Sequence, residues 1–222
     1  MNDAFSLLLA SQSPRRRELV TLLGMPVEVT AADVDESLLP NESPADYVRR
    51  LAEAKARAGC PPHPKSPRQV VIGSDTAVAD AGEILGKPRD ASDAARMLNR
   101  LRGRTHQVYT GIAVYEPQSE RLFSDISVSD VPMRAYSDAE IAAYIATGDP
   151  LDKAGAYAIQ HPDFQPVEHF SGCYASVMGL PLCHLARLLK KLGIDVDAEM
   201  PQKCQLTLAY ECTISAAILR GA

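Results

Sequence analysis

Asp75 sits inside "QVVIGSDTAVAD", residues 69–80, an otherwise apolar run. A carboxylate there is costly to bury unless it meets a cation, a metal or hydrogen-bond donors. The plainer reading is an aspartate that caps the following turn. At the C-terminal end of a sheet strand it would face the crevice in which open α/β sheets take their ligands. Four basic side chains occupy compatible contexts. Arg15 and Arg16 belong to "LLLASQSPRRRELV", residues 7–20, where an apolar strand runs through a turn containing Ser11 into a helix start. Free N–H groups, the positive helix end and guanidinium forks all suit an anion, a phosphate foremost; a solvated basic patch is the alternative. Lys55 falls in register with the apolar stripe of its segment, so it either enters the interior or snorkels out to solvent. Lys87, in "ILGKPRD", precedes Pro88, which keeps its backbone extended and lets its amine reach a cleft. Glu36, beside Asp33 and Asp35, offers further oxygen ligands or belongs to a solvated acidic loop. Brought together, these groups would hold a metal-chelated triphosphate and activate water against it.

The elements that would position them read as follows. Residues 7–10 form a short buried strand, and Ser13-Pro14 opens a helix that Gly24 stops. A second strand covers 27–30. Ser43-Pro44, with Asp46 in a capping-box position, opens a helix whose face carries Tyr47, Val48, Leu51, Lys55 and Ala58, ending at Gly59. The proline-rich 60–68 stretch is an exposed loop, and 69–80 is the strongest strand. An amphipathic helix spans 92–102. "HQVYTGIAVYE" and "DISVSDVPMRAY" pair as antiparallel strands, and Ser137 to Glu140 is a capping box for a helix that ends at Gly148. "ASVMGLPLCHLARLLKKLG" reads as a strand and a last amphipathic helix. The expected class is α/β with a mixed sheet. Residues 1–193 make one domain, and 194–222 form a C-terminal extension with a weak strand-like pattern and no functional reading.

Composition narrows the classes. A formal net charge of −5 argues against a general nucleic-acid surface. No run reaches the roughly 18–20 apolar residues of a membrane span. The N-terminus begins with Asn2 and Asp3 rather than a positive region, so no signal peptide is expected and the protein is placed in the cytoplasm. Five cysteines form no CxxC pair and five histidines no HxxxH, which leaves a hard divalent cation on carboxylates as the metal to expect. GxxxxGK[ST] and GxGxxG are both absent, which removes P-loop and Rossmann readings.

"LASQSPRR", "RLAEAKA", "VIGSDTAV", "ILGKPRD", "THQVYTGIAV" and "DKAGAYAIQ", followed by "VMGLPL", together resemble the Maf family of nucleoside triphosphate pyrophosphatases, in the family's order and over residues 7 to about 193. The resemblance implies an elongated, two-lobed Maf/ITPase-like fold around a central substrate cleft, usually a homodimer. It implies cleavage between the α- and β-phosphates with magnesium or manganese. Residue by residue, it implies Asp75 as proton acceptor or metal-positioning carboxylate, Ser11, Arg15, Arg16, Lys55 and Lys87 on the polyphosphate, and Glu36 on the metal or water. Thr76 and Gln160, with Arg15, match the branch acting on dTTP and UTP; the 7-methyl-GTP branch carries Gln after the aspartate. A Gln amide can pair with the O4/N3–H edge of thymine or uracil. The chain departs from that branch in "QHPDFQPVEHF", where a Gly-rich turn is usual, and this bears on substrate breadth. The alternatives are the same reaction on 7-methyl-GTP or another modified triphosphate, a nucleotide-binding regulator of cell division without turnover, and, last, a sugar-nucleotide transferase.

Overall fold

The computed structural model describes residues 5–63, 66 and 68–221. The proline-rich 60–68 stretch therefore lies partly outside the described residues. Strands β1 (Phe5–Ala10), β2 (Val27–Thr30), β3 (Arg68–Asp80), β4 (Glu83–Leu85), β5 (Thr105–Glu116) and β6 (Arg121–Pro132) form one sheet in the order β2-β1-β3-β5-β6, with β4 beside β3. β1 runs parallel to both β2 and β3, whereas β3, β5 and β6 are antiparallel. The sheet is mixed, as expected, and the anticipated antiparallel pair forms, but its second strand is 121–132 instead of 125–136 because its register against β5 runs from Glu116↔Arg121 to Thr105↔Pro132.

Helix starts follow the signals in the sequence. α1 (Pro14–Val20) is capped by Ser13, whose hydroxyl accepts from the Arg16 N–H. α2 (Pro44–Ala58) is capped by Ser43 in the same way, from Asp46 N–H. α3 (Ala91–Leu101) is capped by Asp90, and α4 (Asp138–Ala146) opens on the full Ser137–Glu140 capping box. Two expectations fail. Residues 174–177 form a single helical turn, α5 (Tyr174–Val177), instead of a strand. The Cys173 carbonyl takes the Ser176 and Val177 N–H groups, so the backbone is satisfied locally and needs no strand partner. α6 (Leu182–Lys191) follows as anticipated.

The extension is the second: it is helical, not strand-like, with α7 (Met200–Leu208) and α8 (Ser215–Arg220). Met200, Cys204 and Leu208 recur at the helical spacing of four and pack on the same core as α6, where Ile218 of α8 is also buried. Tyr210 ties the extension to the preceding loop by accepting the Gly172 N–H at 3.0 Å.

One close approach governs the layer packing. α2 lies against β3 and β5 at two glycines. A Cβ on Gly73 would stand 2.1 Å from the Ala52 carbonyl oxygen, and one on Gly111 would stand 2.2 Å from that of Val48. Neither glycine has left-handed backbone, so the requirement is purely one of space. It brings Val48, Leu51, Ala52, Lys55 and Ala56 directly onto the sheet.

Gly111→Ala should therefore cost ~3 kcal/mol or more, the upper range for overpacking a close contact. A shift of the urea midpoint to lower concentration checks this; an unchanged midpoint would show that α2 can lift without penalty.

Candidate active site

The site forms where the parallel part of the sheet ends. β1 stops at Ala10, and its last paired positions match Leu9 to Ile72, while β3 continues to Asp80. Asp75 therefore stands three positions past that pairing, in the middle of its own strand and not at its end. It lies at the mouth left by the terminating strand. Pleating sends Gly73 and Asp75 toward α2, and Ser74 and Thr76 to the opposite face.

On the α2 side, Lys55 is the centre. Its ammonium lies 2.6 Å from Asp75 Oδ1 and 2.6 Å from Glu36 Oε1. Lys55 and Asp75 are both buried, at 8% and 7% exposure, so the lysine points inward and does not snorkel. Burial pushes the Asp75 carboxyl above the ordinary aspartate range, against the pull of Lys55 and Arg16. Burial opposes the charge on Glu36 too, but the hydrogen bond and charge of Lys55, with Lys87 and Arg16 behind them, hold it below its usual value. The two carboxylates thus differ, one disposed to take up a proton and one firmly ionised.

The loop carrying Glu36 is fastened from α2. The Tyr47 hydroxyl donates to the Glu36 carbonyl at 3.0 Å, and Arg50 bonds both Glu42 oxygens and the Ser37 carbonyl. Burial, followed by the charges of Asp75 and Glu36, pushes the Tyr47 hydroxyl up to about 12. It stays protonated and donating.

On the other face, Arg16 donates from Nε to the Gly179 carbonyl at 2.8 Å and from Nη2 to Thr76 Oγ1 at 3.1 Å. Thr76 also meets Thr110 across the strands at 3.0 Å. Gly179, with φ of 109°, leaves room for this: a Cβ there would lie 3.1 Å from Arg16 Nε. Ser11 accepts the Ser13 N–H at 3.1 Å and shapes the turn into α1. α1 has only seven residues, so its dipole is short and the attraction for anions rests mainly on the arginine charges.

These groups line one cleft of about 690 Å³, in the range of small-molecule sites. Ser11, Arg15, Arg16, Glu36, Lys55, Asp75, Thr76, Lys87 and Gln160 all face it. Lys153, which sequence reasoning missed although it stands within "DKAGAYAIQ", joins them. Its ammonium is nearly enclosed at the cleft wall, 2.9 Å from Asp149 Oδ1 and 2.7 Å from Asp152 Oδ1. The signal for it is a lysine close to two aspartates at the head of an apolar motif. Tyr47, expected on the apolar stripe of its helix, contributes to the cleft wall instead. No group of three or more His, Cys, Asp or Glu able to hold a metal occurs among the described residues. No helix among them is long and apolar enough to cross a membrane.

Known proteins similar to this chain share one family. A family model described as Maf-like protein matches residues 6–192. The dTTP/UTP pyrophosphatase of Geotalea uraniireducens (strain Rf4) is 48% identical over 193 residues, covering 87% of this chain and 98% of its own. That of Anaeromyxobacter dehalogenans (strain 2CP-C) is 47% identical over 197 residues, covering 88% and 98%. The Chromobacterium violaceum protein of the same name is 46% identical over 190 residues, covering 85% and 95%. The matched region of the family model ends before α7 and α8 begin.

Inorganic triphosphate should raise the thermal midpoint, because the cleft gathers Arg15, Arg16, Lys55, Lys87 and Lys153. At a hundred times its dissociation constant the gain is about 2.7 kcal/mol, or roughly 5–10 °C for a chain of this size. Arg15→Ala/Arg16→Ala should lose most of that shift. An equal shift in the double variant would show that the anion binds elsewhere.

Proposed function

The chain belongs to the Maf-like protein family, and from that premise we propose that it hydrolyses pyrimidine nucleoside triphosphates, dTTP and UTP foremost, to the monophosphate and pyrophosphate. The observation that carries the reaction is the buried Asp75–Lys55 pair, joined by the exposed Glu36, facing a cleft rich in arginine and lysine.

The geometry supports the following roles. Arg15, Arg16 and Lys87 neutralise the polyphosphate, and electrostatic stabilisation in a partly desolvated cleft is where such groups act most strongly. Lys55 holds Asp75 and Glu36 at fixed separation on either side of its ammonium. Asp75, raised by burial, is the proton acceptor for the attacking water. A divalent cation fits this set in the manner of magnesium or manganese. Asp75 and Glu36 would supply one or two carboxylate oxygens, and phosphates and waters the remainder. That partial donor set is consistent with the lack of a three-ligand cluster among the described residues. When bound, such a cation supplies charge neutralisation at the phosphates.

Base choice is assigned to Gln160 and Thr76. Gln160 is exposed in the cleft wall, with its amide available to a base edge. Thr76 is held by Arg16, so Arg16 links the phosphate site to the specificity pair while Arg15 flanks it. A homodimer, as the family resemblance implies, and a cytoplasmic location, as read from the N-terminal sequence, remain part of this reading. The same reaction on 7-methyl-GTP is the second reading, and Thr76 and Gln160 weigh against it.

Asp75→Asn should lower pyrophosphate release from dTTP by at least a thousandfold while dTTP still raises the thermal midpoint. Activity within tenfold of the wild type would remove Asp75 from the chemistry.

A further inference from the structure

Gln160 is borne by a strap, residues 153–161, that contains neither helix of more than one turn nor strand. Its backbone is held away from comfortable geometry: Ala156 has φ of 60°, in the left-handed region that a side chain disfavours. Such a segment keeps its shape only if its surroundings impose it. The Gly86 carbonyl takes the Gly155 N–H and His106 meets the Tyr157 hydroxyl, and one side chain from α4 holds the part that carries Gln160. Tyr144 is buried at 2% exposure, and its hydroxyl accepts the Ala158 N–H at 3.0 Å while donating to Asp149 Oδ2 at 2.7 Å. Asp149 is fixed in turn by Lys153, which bonds its Oδ1 at 2.9 Å and its carbonyl at 2.6 Å. The Tyr144 ring stacks on Phe164 at 4.2 Å and meets the His161 ring edge-on at 4.7 Å. Tyr144 therefore grips the strap on both sides of Gln160, at the residue two before it and at the residue after it.

From this arrangement we infer that Tyr144, oriented by Asp149 and Lys153, is a positioning residue that sets base selectivity by fixing the register of Gln160 in the cleft that Asp75 also lines. The inference deepens the pyrimidine reading and rests on it. Tyr144 makes no hydrogen bond to Asp75 or Lys55, and it reaches the cations of the cleft only through Asp149 and Lys153. It also gives the His161 departure from the family pattern a part: its ring supplies the second side of the grip.

The test is Tyr144→Phe, which keeps the ring stack and removes the hydroxyl. kcat and KM are measured for dTTP, UTP, CTP and GTP in variant and wild type. The expected result is a roughly tenfold loss of kcat/KM for dTTP and UTP through KM, kcat within twofold, and CTP and GTP unchanged, so that preference collapses. His161→Ala, at the strap surface, should shift the preference the same way and serves if Tyr144→Phe is unstable. Proportional losses for all four nucleotides would mark Tyr144 as merely structural and overturn the inference, as would an intact preference. If the wild type prefers another base and Tyr144→Phe erodes that preference, the pyrimidine reading falls and the positioning role stands.

Discussion

The structure depends on one buried ion pair. Asp75, buried on its strand, is opposed in its charge by burial, and Lys55 at 2.6 Å is the main group that offsets this, with Arg16 behind it. Lys55 arrives only because Gly73 and Gly111 let α2 lie against the sheet. Removing one partner of such a pair strands the other charge and typically costs about 3–5 kcal/mol. Packing and electrostatics are thus the same constraint here: the glycines that let α2 down onto the sheet also bring Lys55 to the Asp75 carboxylate.

Around that pair the cleft divides its work. In the proposed reading, β3 and α2 place Asp75 and Lys55 for the water, while α1 and the loop after β4 bring Arg15, Arg16 and Lys87 to the phosphates. In the same reading, the strap after α4 provides Gln160 for the base, on irregular backbone secured by side chains. The turn at Gly179 joins the two, since Arg16 reaches from its carbonyl to Thr76. A site built this way can change its base preference by altering the strap without disturbing Asp75, and the unusual "HPDF" sequence after Gln160 falls in that adjustable part.

Much of this is legible in the residues. A lone carboxylate in an apolar strand, cap signals at Ser13, Ser43 and Ser137, and a serine–arginine turn each have a local physical cause, so each can be read without tertiary information. What is illegible depends on partners distant in sequence. Lys55 fits both an inward and an outward reading, because its register is the same in either case and only the glycines on two other strands decide it. Lys153 escapes notice because its role depends on Asp149 and on the Tyr144 hydroxyl. The 174–177 turn is mistaken for a strand because four apolar-leaning residues suit strand or helix equally until their hydrogen bonds are known. In the extension, the Met200–Cys204–Leu208 stripe is only three residues long, too short a period to stand out from the sequence.

The most direct test of the central claim is the identity of the products. With magnesium present, dTTP should give dTMP and pyrophosphate in equal amounts, resolved by ion-exchange chromatography, with no orthophosphate at early times. Formation of dTDP and orthophosphate would contradict cleavage between the α- and β-phosphates. Intact dTTP in the presence of either magnesium or manganese would contradict the proposed chemistry of the Asp75–Lys55 pair itself.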